Sequence, residues 1–109
     1  MAPCNAADRR AATRSRVQVF LNKYVDGVPH LCEAVELSMT GALLRRVHEP
    51  DGERACYALE MSASPESKPE ERVWLCATPV WRSGSYEALG FVGQSQLDRL
   101  RLASLLHAL

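Results

Sequence analysis

The sequence predicts a mainly β fold, a small barrel or sandwich of six short strands followed by one helix. Three observations predict it. Apolar and polar residues alternate over short runs, as they do along half-buried strands. Turn-forming residues interrupt those runs every eight to twelve residues or so. After Gly93 the apolar period lengthens to that of a helix. The chain has 109 residues, of which 47% are hydrophobic and 24% charged, a balance that supports one packed core and leaves no room for a second.

The elements follow in order. Residues 1–13 are rich in alanine and arginine, show no apolar period, and read as an arm. Residues 16–24 (RVQVFLNKY) form the first strand, with Val17, Val19 and Leu21 on one face. Asp26-Gly27 signals a hairpin or tight loop, which leads to a second strand over 30–38. Gly41 breaks the chain before a third strand at 42–47, and EPDGE (49–53) turns it again. In the fourth strand, 55–61, Ala55, Tyr57, Leu59 and Met61 share a face. SASPESKPEE (62–71) is a polar, proline-containing loop.

The fifth strand spans 72–82. Pro79 has no N–H to give to a ladder and so marks an edge or a bulge there. Trp74 and Trp81 differ in parity on that strand, which puts one inside and one outside. Ser83-Gly84 turns into the sixth strand, 86–92. Ser95-x-x-Asp98 is a capping signal for the helix. Along it Leu97, Leu100, Ala103 and Leu106 form an apolar row, widened by Leu102, Leu105 and Leu109. Such a face needs a cover, either the β-domain or a second copy in a homodimer.

Charge narrows the functional classes. Thirteen basic and thirteen acidic residues cancel, so no global field attracts a nucleic acid polymer or an anionic membrane. A nucleic-acid-binding barrel is also disfavoured by the lack of basic residues interleaved with exposed aromatics on the strands. No apolar run reaches the length of a membrane span, and no secretory leader opens the chain. Cys4, Cys32, Cys56 and Cys76 are singly spaced and His30, His48 and His107 are scattered, so neither a metal site nor a disulfide framework is expected. These features predict reduced thiols and a cytoplasmic location. Ser38 lacks a nucleophile elbow, and no catalytic residue is expected.

Local charge tells more. Four arginines against one aspartate between Asp8 and Arg16 leave a local excess of three positive charges. Arg10 and Arg14 stand four apart in R-A-A-T-R, with Arg9 beside them, immediately before the first strand. A guanidinium presents a planar fork of donors suited to phosphates or a guanine edge. A second element, Glu36-Leu37-Ser38-Met39-Thr40-Gly41, closes the second strand. By strand parity Glu36 and Ser38 share a face there, and Gly41 permits a turn or a close backbone approach.

In order and spacing the two elements resemble the PilZ domain family, whose signature is R-x-x-x-R followed some twenty residues later by (D/N)-x-S-x-x-G. Arg10 and Arg14 match the first motif, and Ser38 and Gly41 match the second. Ala88 to Gly93 (ALGFVG) looks like the family's closing strand. The resemblance implies a six-stranded antiparallel β-barrel over residues 14–93, an N-terminal arm over 1–13, and a C-terminal helix over 94–109 packed on the barrel or in a dimer interface. It implies a non-catalytic receptor for cyclic di-GMP that needs no cofactor. Arg9, Arg10 and Arg14 would wrap the dinucleotide, with Glu36, Ser38 and Gly41 on the facing side. The signal would then pass to an effector protein. The family's Asp or Asn is Glu36 here, one methylene longer. That departure frames the alternative, a PilZ-like protein-interaction module that does not bind cyclic di-GMP.

Overall fold

The computed structural model describes residues 15–47, 54–64 and 66–109, with side chains from residue 19 onward. Arg9, Arg10 and Arg14 lie outside the described residues. The strands are β1 (Ser15–Val25), β2 (Val28–Leu37), β3 (Gly41–Arg46), β4 (Tyr57–Met61), β5 (Val73–Ser83) and β6 (Tyr86–Val92), followed by the helix α1 (Gln96–Ala108). They close into a barrel in the order β1-β2-β3-β6-β5-β4, every neighbouring pair antiparallel. Closure pairs every strand on both sides and removes the open edges a small sheet would expose.

The alternation read from the sequence becomes an inside and an outside. Val19, Leu21 and Val25 of β1, Tyr57, Leu59 and Met61 of β4, and Val73, Leu75 and Ala77 of β5 point inward. They meet Cys32, Ala34 and Leu37 of β2, Ala42 and Leu44 of β3, and Leu89 of β6 in one core. Burial of each larger apolar side chain is worth about 1.5–3 kcal/mol. Ala55 is exposed, because β4 begins only at Tyr57. Asp26 and Gly27 both adopt positive φ (53° and 82°), the type I′ geometry that suits a two-residue hairpin.

Three bulges adjust the register. One lies on β1 between Arg16 and Val19, one at Val35 of β2, and one at Val80 of β5. The last follows Pro79, as the missing N–H predicts. It also corrects the reading of the tryptophans. The extra residue reverses the parity beyond Val80, so Trp74 and Trp81 are both exposed.

Two charged side chains break the apolar interior. Lys23 continues the inward row of β1 and Glu87 opens β6; both are fully buried, with Nζ donating to Oε1 at 2.6 Å. The Lys23 ammonium also sits 4.3 Å from the centroid of the Tyr57 ring. Arg82 Nη2 donates to the second Glu87 oxygen at 3.2 Å.

Outside the barrel, Glu60 of β4 accepts from Asn22 Nδ2 (3.1 Å), Tyr24 Oη (3.3 Å) and Arg72 Nη1 (2.8 Å). Desolvation pushes its carboxyl up, but the hydrogen bonds from Asn22 and Arg72 and the Arg72 charge outweigh this and hold it below the usual carboxylate range. A depressed folded-state pKa stabilises the protein above the unfolded value, about 4.3 for Glu, and that contribution fades as pH falls through the folded value. The urea midpoint should therefore drop on acidification below about pH 5, and less steeply in Glu60→Gln. Equal slopes in the two proteins would show that Glu60 carries none of the effect.

The helix starts as the sequence predicts. Ser95 Oγ accepts from Asp98 N (3.0 Å) and Asp98 Oδ2 accepts from Ser95 N (3.3 Å), a complete capping box. Its buried residues are Leu102 and Leu105, and Leu106 is partly buried against the same core. The predicted row differs: Leu97, Leu100 and Ala103 are exposed. Leucines occur round most of this helix, so period alone did not select which stripe meets the barrel.

Candidate functional site

The register places the start of β1, the end of β2 and the start of β3 at one rim of the barrel. Ser15 lies opposite Leu37 and Arg16 opposite Glu36, while Leu37 faces Ala42 on β3. Ser15, where β1 begins, therefore lies beside the turn formed by residues 38–41. Helix α1 follows directly from β6, whose Phe91 N donates to Thr40 O, and so starts at this end.

Ser38 builds that turn. Its Oγ accepts from Thr40 N and Gly41 N, each at 3.2 Å, and lies 3.3 Å from Gly41 O, to which it donates. Ser38 N donates to the same carbonyl at 3.0 Å. This is the local side-chain-to-backbone pattern by which serine replaces ladder bonds at a strand end. The side chain is buried. Ser38 thus does not continue the alternation to share a face with Glu36, because β2 ends at Leu37 and the hydroxyl turns onto the backbone. Glu36 is half-buried, opposite Leu43 on β3, its facing set by the Val35 bulge.

Gly41 is required for space. A Cβ there would lie 2.4 Å from the Leu89 carbonyl oxygen on β6, well inside contact distance. The expected close backbone approach is therefore present, between two neighbouring strands of the barrel. Two residues not singled out from the sequence complete the rim. Thr40 is exposed, its Oγ1 is 3.2 Å from Ser38 Oγ, and its carbonyl accepts from Phe91 N at 2.9 Å. Gln94 Nε2 donates to Met39 O at 3.3 Å. Gln94 meets the turn only through folding, since it lies 55 residues beyond Met39.

Other clusters carry less chemistry. Arg54 forks onto Asp26 through Nε (3.0 Å) and Nη2 (2.7 Å) at the β1–β2 hairpin, at the far end of the barrel. That hydrogen bonding holds the Asp26 carboxyl below its ordinary value. Among the described residues, no group of three or more His, Cys, Asp or Glu is placed to hold a metal ion. Nor is any described helix long and apolar enough to cross a membrane.

A closed six-stranded antiparallel barrel, with a serine-built turn on one rim and a C-terminal helix starting at that end, defines a recognisable class. Its geometry matches solved structures. The PilZ domain of CeSA from a cellulose-synthesising bacterium aligns with a TM-score of 0.66 at 12% identity, over 86% of this chain and 94% of that one. An uncharacterised Legionella protein aligns with a TM-score of 0.53 at 17% identity, over 86% and 89%. No family model matches the sequence, and no curated protein does. The chain has the PilZ fold.

Proposed function

We propose that this protein is a receptor for cyclic di-GMP whose arginine arm closes over the ligand at the rim bearing the 38–41 turn. One observation supports the reading: the pairing of Ser15 and Arg16 with Leu37 and Glu36, which starts β1 beside that turn. Arg14 is the next residue out. Arg10, five residues from Ser15, is within about 18 Å of it at 3.3–3.6 Å per residue. Arg9, Arg10 and Arg14 supply charge-assisted donors for guanine edges and phosphates of a dianion. On the facing side Glu36 accepts from a guanine, while Ser38 and Gly41 act by fixing the backbone of the turn. The arm orders on binding, and the altered rim is what an effector protein reads. No step in this scheme is catalytic.

Titration calorimetry with cyclic di-GMP tests it. Saturable binding in the micromolar range is expected. Arg10→Ala and Arg14→Ala should each weaken binding about tenfold or more, since a hydrogen bond to a charged group is worth about 1.5–3 kcal/mol. No heat at several hundred micromolar ligand, with the fold intact by circular dichroism, would sink the proposal.

Two observations favour a second reading, an interaction module blind to the nucleotide. The Ser38 hydroxyl is buried and engaged within its own turn, and Glu36 is longer than the residue its motif calls for. Glu36→Asp separates the two. Tighter binding in that variant shows that the rim is a ligand site limited by side-chain length. An absence of binding in both proteins supports the module.

A further inference from the structure

Helix α1 presents a second face that the barrel leaves uncovered. Leu97 and Leu100 are 54% and 60% exposed near its start. Toward its end the same face carries the small residues Ser104 and Ala108. Spacings of 3, 4 and 4 residues keep the four side chains in one stripe. Beside the stripe runs an open hollow of about 400 Å³, bounded by Leu100, Arg101, Ser104 and Ala108 of the helix and by Ala63 and Glu71 of the segment between β4 and β5. A cavity of about 150 Å³ already holds a benzene-sized group, so this one has room for two leucine side chains.

We propose that this stripe and hollow form the seam of a two-fold homodimer. Large and small residues are distributed as a two-fold axis requires. When two copies of α1 cross antiparallel near their midpoints, Leu97 and Leu100 of each fall against Ser104 and Ala108 of the other. In an isologous interface each contact of this kind occurs twice. Charge fits as well. The pairing brings the two Arg101 guanidinium groups close together, a repulsion unless each finds a carboxylate. Glu71 also lines this hollow; one of its carboxylate oxygens accepts from Lys68 N at 2.8 Å, and the other is the counter-charge assigned to the partner's guanidinium. A 13-residue helix is only about 20 Å long, so even with the β4–β5 segment the contact falls short of the roughly 800 Å² per partner of a standard interface. The dimer is therefore concentration-dependent. The seam is independent of the nucleotide reading, because it uses none of the residues at the 38–41 rim.

Sedimentation equilibrium of the full chain across low to high micromolar concentration tests it. The expected result is a reversible monomer–dimer equilibrium. Leu100→Arg and Ser104→Leu should each raise its dissociation constant at least about tenfold, equivalent to 1.4 kcal/mol. Both positions face solvent in the monomer, so its thermal unfolding should be unchanged. Arg101→Glu alone should weaken pairing, and adding Glu71→Arg should restore it. A chain that stays monomeric throughout, a dimer unaffected by Leu100→Arg, or a charge swap that does not rescue would each overturn the proposal.

Discussion

Glu87→Ala is expected to lower stability by about 3–5 kcal/mol, the cost of removing one member of a buried ion pair. For a chain of this length 1 kcal/mol moves the midpoint by about 4 °C, so the melting temperature should fall by about 12–20 °C. The reason is specific to the place. Lys23 is fully buried, and its ammonium has the Glu87 carboxylate at 2.6 Å as its counter-charge. The Tyr57 ring at 4.3 Å attracts it more weakly, by about 2 kcal/mol in a desolvated setting. Removing the carboxylate takes from that buried charge its counter-ion at 2.6 Å. The same physics predicts that the pair itself adds little net stability. Lys23→Met with Glu87→Leu replaces both charges by apolar groups of similar size and should unfold close to the wild type. Arg82, partly exposed, can then turn to solvent. Thermal denaturation followed by circular dichroism reads both effects. A drop of only a few degrees in Glu87→Ala would mean that water reaches Lys23 and that the interior is wetter than the packing implies.

Such a pair was hard to read from the sequence. Lys23 stands on the same parity as Val19 and Leu21, so period alone places it inward, but its charge argues for the surface. Its partner lies 64 residues away on the last strand. What was legible is what local chemistry decides: the Asp26-Gly27 hairpin, the alternation of β4, the bulge after Pro79 and the Ser95–Asp98 cap. What failed depended on events beyond the local window. Trp81 is exposed because an inserted residue resets the parity, and Ser38 leaves the face of Glu36 because its strand ends one residue earlier. At the candidate site the motif spacing exposed Ser38 and Gly41 but not Gln94 or the bond from Phe91 N to Thr40 O, which form only when β6 packs beside the turn.

Gly41→Ala is expected to destabilise the fold by about 3 kcal/mol, at the upper end for an added methyl with no room, and to lower the melting temperature by about 12 °C. The cause is space rather than conformational freedom, since Gly41 is not among the glycines with positive φ. Its Cβ would meet the Leu89 carbonyl oxygen at 2.4 Å, and that atom is backbone, which cannot rotate away as a side chain can. Nor can β3 retreat, because β2 and β6 hold it from both sides in a closed barrel. The strain enters at the residue whose amide and carbonyl complete the Ser38 turn. The facing glycine of the same pair is the control. Gly90 lies directly opposite Gly41, yet a Cβ there meets only the Val80 side chain at 3.6 Å, ordinary contact. Gly90→Ala should therefore be neutral or stabilising by about 0.4–1 kcal/mol, through the lower freedom of its unfolded chain. Equal losses at the two positions would refute the steric account. A loss confined to Gly41 explains why that position of the turn takes glycine whether or not a ligand is ever bound there.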